Sequence, residues 1–155
     1  MRFECEKHES FEVSLPLTET NPAEIRKSII GAQEYLATFP QIDCKVSHHF
    51  SGDSYAREIL LPAGSLVIGK MHKHAHVNVI SKGECIVLTE EGVKRLSAPI
   101  TFISSPGTKR VVYSYTDVVW TTIHVTEETN LEKIEELIIS PSYNDLDANL
   151  LLEKI

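Results

Sequence analysis

Three of the seven histidines in this 155-residue chain fall within five positions, in Met71-His72-Lys73-His74-Ala75-His76, each two residues from the next. Residues two apart on a β-strand share a face, so an extended backbone here aims three imidazoles at one point. A neutral imidazole offers a lone pair suited to zinc, copper, iron or nickel. A fourth histidine, His124, sits in the apolar stretch Val118–Val125 with Trp120 and Thr122 at the same parity. Each residue also has an ordinary reading. His72 and His74 fit an exposed strand end, and His76 and His124 fit hydrogen-bonded core positions. Other catalytic templates are missing: the chain has no glycine-rich phosphate loop, GxSxG, HExxH or CxxC. The residue types point to metal binding and name no reaction.

The elements that must position these side chains are mostly strands. Apolar alternation and turn residues predict Lys45–Phe50, Tyr55–Leu61, Ser65–Lys70, His76–Ser81, Glu84–Thr89, Val93–Leu96, Ile100–Ser104, Arg110–Tyr115 and Val118–Val125. Turn residues separate them, among them Pro62-Ala63-Gly64, Lys82-Gly83 and Ser105-Pro106-Gly107. Short strands at such spacing imply a sandwich or barrel. Before them, Phe11–Leu15 alternates like a short strand, and Asn21-Pro22 caps a helix that ends near Phe39-Pro40. Its apolar stripe is Ile25, Ile29, Ala32 and Leu36, or alternatively Ile25, Ile29, Ile30, Gln33 and Leu36. After the strands, Thr126–Asn130 starts a second helix with acidic residues in its first turn and Leu131, Ile134, Leu137 and Ile138 on its apolar face. The tail 147–155, with Leu150, Leu151, Leu152 and Ile155, is expected to form a short docking helix. One structural domain is expected, with a strand and helix in 1–42, a barrel in 43–126 and a helix and tail in 127–155.

Composition narrows the partners. The net charge of −7 argues against a broad phosphate-binding surface, so no nucleic acid is expected. No apolar run approaches the ~18–20 residues of a membrane span, so no membrane partner is expected either. The N-terminus lacks the apolar core of a secretory signal. Cys5, Cys44 and Cys85 are widely spaced and odd in number, which fits reduced thiols in a cytoplasm better than a disulfide framework. Cys85 fits a small buried hydrophobe. His48 and His49 face opposite ways on their strand, so they stay outside the expected site.

The order Pro62-Ala63-Gly64, Gly69, His72-Lys73-His74-Ala75-His76, Gly83-Glu84 resembles the first motif of the cupins. Ile103–Arg110 resembles their second. The likeness covers about residues 45–126. More narrowly, Tyr55-Ala56-Arg57-Glu58-Ile59, Ser81–Glu84, Pro106–Arg110 and Trp120–His124 resemble the small cupin proteins encoded by tailed bacteriophages, most of which have no assigned activity. The resemblance implies an all-β cupin-type jelly-roll barrel (a double-stranded β-helix) with an N-terminal and a C-terminal α-helix.

Aligned on Gly83, the family's glutamate ligand position falls on His76, its second histidine on His72 and its first on Lys70. The histidine of the second motif falls on Arg110. An ammonium or guanidinium has no lone pair for a metal, so two of the four family ligands are replaced. His74, on the same side as its neighbours if the segment is extended, and His124, brought close by the jelly roll, are the substitutes. The expected metal set is therefore His72, His76, His124 and His74, holding zinc, iron, nickel or manganese. Arg110, pointing into the barrel, suits a carboxylate or phosphate oxygen, unless it pairs with a carboxylate such as Glu58 or lies exposed beside Lys109. Asn78, Tyr113 and Tyr115 are candidates to line the same cavity.

Two functions follow from this reading. One is a metal-binding cupin that takes a small polar or anionic ligand, with turnover left open and no catalytic residue assigned. The other is a non-catalytic structural, assembly or host-interaction protein that uses the barrel as a scaffold. A homo-oligomer, a dimer first, is expected because the terminal helices and the Leu150–Ile155 tail carry apolar surface beyond the needs of one barrel.

Overall fold

The computed structural model describes residues 21–143; the expected strand at 11–15 and the tail helix at 147–155 lie outside them. Helix α1 (Pro22–Leu36) begins as its sequence predicts. The Asn21 side-chain oxygen accepts the Ala23 N–H at 3.0 Å, and Pro22 occupies a position where a missing N–H costs nothing. Of the two alternative stripes, the first is the covered one: Ile29 is buried, Ile25, Ala32 and Leu36 are half-buried, and Ile30 is exposed.

Then come β1 (Lys45–Ser51), β2 (Ser54–Leu61), β3 (Leu66–Ile68), β4 (Met71–His72), β5 (His76–Lys82) and β6 (Glu84–Thr89). After these follow β7 (Gly92–Ser97), β8 (Ile100–Ser104), β9 (Val111–Ser114) and β10 (Val118–Val125), then helix α2 (Leu131–Ile138) and β11 (Ile139–Ser140). All nine expected strands form, with ends shifted by a residue or two. β4 and β11 were not expected. They are two residues each, and they pair only with one another, a register no local pattern encodes.

β1-β2-β10-β5-β8 form one antiparallel sheet and β3-β9-β6-β7 a second. Together they make an all-β jelly roll with one helix before it and one after it. The inner faces of the two sheets enclose Leu61, Ile80, Cys85, Val87, Val112, Val118 and Trp120. The β5–β6 turn that passes the chain between sheets requires glycine. Gly83 has φ +90°, and a Cβ there would stand 2.1 Å from the Asp117 carbonyl oxygen. Its place in the turn was legible in the sequence; its reason is this contact.

Helix α2 starts later than expected. Asn130 is its N-cap, accepting the Lys133 N–H at 3.1 Å, because Glu128 turns its carboxylate onto the N–H groups of Thr129 and Asn130. The first-turn acid is therefore Glu132 rather than Glu127 or Glu128. Ile134 and Ile138 are buried against Tyr55, while Leu131 and Leu137 are exposed. The covered face is narrower than the sequence pattern suggested.

Candidate metal centre

Strand alternation on β2, β5 and β10, with one register shift between Val119 and Trp120, builds the site. Tyr55, Arg57, Ile59 and Leu61 on β2 share a parity, as do His76, Asn78 and Ile80 on β5 and Val118, Trp120, Thr122 and His124 on β10. The registers His124↔Tyr55, Thr122↔Arg57 and Thr122↔Asn78 align these rows. Each row runs from apolar at one end of the barrel to polar at the other. His76 and His124 end two adjacent rows, and each is 5% exposed.

His72 arrives from β4. Its backbone is held on both sides, pairing with Ile139 of β11 and accepting the Gly107 N–H at 2.9 Å. The His72 ring stacks on both others, with centroids 4.1 Å from His76 and 4.9 Å from His124, and His76 and His124 meet tilted at 4.8 Å. One nitrogen of each ring lies within 4.8 Å of the others. An ion between them would draw each in by less than about 1 Å to reach the ~2.0–2.1 Å bonds zinc makes to histidine.

Three buried ring nitrogens have no partner: His72 Nδ1, His76 Nε2 and His124 Nε2. A buried polar atom left so costs about 1–3 kcal/mol, and a metal ion is one group that satisfies all three at once. The His76 tautomer suits it. Nδ1 lies 3.1 Å from the His74 carbonyl, so it donates there and leaves the lone pair on Nε2.

Burial, then the neighbouring histidines and the Arg110 and Arg57 guanidiniums, hold His72 down at about 3. Burial and the His76 and His74 rings hold His124 at about 4. Burial lowers His76 as well, against the opposing effect of its hydrogen bond to His74. All three are neutral at pH 7, the state that binds metal.

The structure does not bring His74 to this cluster. Residues 73–75 bend instead of extending, so His74 is exposed and only its carbonyl faces inward. Tyr113 and Tyr115 are also displaced from their expected place. Both are exposed, packed edge to face at 5.3 Å. Asn78 is fully buried, but its amide is committed: it donates to Ser104 Oγ at 2.6 Å and the His76 carbonyl at 3.3 Å, and accepts the Trp120 indole N–H at 3.0 Å. It braces the β5 histidine rather than presenting a free group.

Arg110 does line the cavity beside the triad. Its guanidinium donates to Ser104 Oγ and lies 5.8 Å from both the Phe102 and Trp120 ring centroids. It forms no ion pair with Glu58 or with any other described carboxylate.

The cavity itself is about 540 Å³, within the usual range for small-molecule sites. Aliphatic side chains line much of it beside the histidines and arginines, and α2 closes one side with Leu131, Ile134 and Ile138. Lys70 and Glu135 also line it and pair with each other. Tyr55 is buried against the triad's edge, with its hydroxyl 2.8 Å from His48 Nδ1. Two contributors were missed in the sequence, His48 and Arg57. Arg57 was findable, because it shares the inward parity of Tyr55, Ile59 and Leu61.

No family model matches this sequence, and no curated protein does. Solved structures do. Ectoine synthase from P. lautus superposes with a TM-score of 0.51 at 11% identity, over 63% of this chain and 75% of that one. A cupin domain from Bordetella pertussis gives 0.45 at 18% identity, over 57% and 98%. An RmlC-like cupin from Shewanella frigidimarina gives 0.46 at 19%, over 56% and 78%. At 11% identity the ectoine synthase match concerns the fold alone, an antiparallel jelly roll. Among the described residues, no helix is long and apolar enough to cross a membrane.

Proposed function

We propose that this chain is a metal-binding cupin that holds one divalent transition-metal ion on His72, His76 and His124 and takes a small anionic ligand in the adjoining cavity. The observation that carries the reading is the convergence of His72, His76 and His124: one nitrogen of each ring lies within 4.8 Å of the others, and each ring has a buried nitrogen without a hydrogen-bond partner. Zinc, iron and nickel suit such an all-imidazole set, manganese less so because it favours oxygen ligands, and a bound ion would act as a Lewis acid on a coordinated oxygen. Arg110, half-buried and without a carboxylate partner among the described residues, supports the anionic ligand. Origin in a tailed bacteriophage rests on the residue phrases alone.

Glu135, a carboxylate that lines the cavity, is paired with Lys70.

The test is metal content by mass spectrometry on protein purified without a histidine tag and offered zinc, nickel, manganese and iron salts. About one ion per chain is expected. The double variant His72→Ala/His76→Ala should lose it while keeping the circular dichroism of the barrel. Substoichiometric metal with every salt overturns the metal centre.

A further inference from the structure

Two guanidiniums, not one, line the cavity. Arg57 comes from β2 in the five-stranded sheet, opposite Thr122. Arg110 comes from the segment leading into β9 of the four-stranded sheet. Both act on His72, so the triad lies within the field of each. Neither has a carboxylate within ion-pair distance among the described residues, where the five ion pairs use Arg26, Lys70, Lys94, Arg95 and Lys133. Glu91, the carboxylate whose charge reaches Arg110, is bonded to Lys94 at 3.1 Å.

Half-buried like charges without counter-ions are costly, and a guanidinium fork matches a carboxylate bidentately. Aliphatic side chains, Ile59, Val67, Ile68 and Val112 among them, share the cavity lining with the triad, Trp120 and Thr122. Two cationic forks joined by hydrocarbon walls call for two acids joined by a hydrocarbon chain.

We propose that the cavity selects a small aliphatic dicarboxylate, with Arg57 holding one carboxylate and Arg110 the other. This deepens the ligand half of the function proposed above and does not depend on the metal half. Arg57 is then a specificity-determining residue: it separates a dianion from a monoanion that Arg110 alone would accept.

The experiment is calorimetric titration of the full chain, both chelator-treated and zinc-loaded. The ligands are malonate, succinate, glutarate and adipate, each against the monocarboxylate of the same carbon number, with inorganic phosphate alongside. At least one dicarboxylate should bind tenfold or more tightly than its monocarboxylate. Arg57→Gln and Arg110→Gln should each erase that preference, and Arg95→Gln, on the exposed Glu84 pair, should leave it intact.

The proposal is overturned if no dicarboxylate outperforms its monocarboxylate, if the preference survives Arg57→Gln, or if phosphate binds as tightly as the best dicarboxylate. The comparison on the unaltered chain decides even if a variant fails to fold. A chain that takes up none of the four metals yet prefers a dicarboxylate defeats the metal centre and keeps this proposal. A chain that loads zinc and shows no preference does the reverse.

Discussion

The two ends of the barrel are built by the same three strands and obey opposite rules. At one end β2, β5 and β10 turn Leu61, Ile80 and Val118 inward, and these pack on Cys85, Val87 and Val112 from the second sheet. At the other end the same parity turns Tyr55, His76 and His124 inward, and here ring nitrogens are left without partners. Alternation decides which residues face in. Side-chain chemistry alone decides whether that end gives up solvent for packing or retains groups that await a ligand. Between the two lies Trp120, which packs on the core and donates its indole N–H to Asn78. The apolar end should therefore lose stability when altered, and the histidine end should gain or lose it according to pH and metal.

Trp120→Ala tests the boundary and should have the largest effect. It opens a cavity and leaves Asn78 Oδ1 unpaired in a fully buried site. Truncating a buried aromatic typically costs about 3–5 kcal/mol, and an orphaned buried acceptor adds to that. Urea unfolding followed by circular dichroism should show a loss in this range. A loss under about 1 kcal/mol would mean that the core end does not hold the two sheets together.

Acid should break the other end first. In the metal-free chain the folded values of His72 and His124 lie at about 3 and about 4, well below the usual 6.5. Below pH 6.5 the unfolded chain therefore binds protons that the folded chain refuses. The stability these groups allow is fully present above that pH and is lost as pH falls toward 3. Each unit of difference is worth about 1.4 kcal/mol, so a loss on the order of 3 kcal/mol per ring between pH 7 and pH 4 is expected from equilibrium unfolding. A chain as stable at pH 4 as at pH 7 would show that the triad takes up protons freely.

The two ends also differ in how legible they were. The strands, their two-residue alternation and the glycine turn could be read from local pattern, because period-two alternation is written into consecutive residues. His72, His76 and His124 were named from type and spacing, and the fold brings those three together. His74 was misplaced because spacing predicts a shared face only while the backbone stays extended, and residues 73–75 bend where β4 pairs with β11. That pairing joins residues almost 70 apart in sequence, about which a local pattern says nothing. Tyr113 failed for a related reason. Its strand was right, but which parity faces inward depends on the packing of β9 against β3 and β6. Arg57 went unweighed for the opposite reason, since its parity was readable and only its charge was out of place on an inward row.

The finest distinction between the ends is a substitution that should harm one and help the other. At the apolar end, Leu is already the fitting residue, as at Leu61. At the histidine end, His124→Leu replaces a buried ring of similar volume whose Nε2 has no partner. An unsatisfied buried polar atom costs about 1–3 kcal/mol, and removing it also removes a titrating neighbour of His72 and His76. The metal-free variant should therefore be more stable than the metal-free parent by roughly 1 kcal/mol at pH 7, and less sensitive to acid. In saturating metal the order should reverse, because an ion that binds only the folded parent adds stability by mass action. Thermal unfolding of both proteins with and without zinc checks it. A variant less stable than its parent without metal would show that Nε2 is satisfied in solution, and the orphaned nitrogens would no longer mark this end of the barrel as built for an ion.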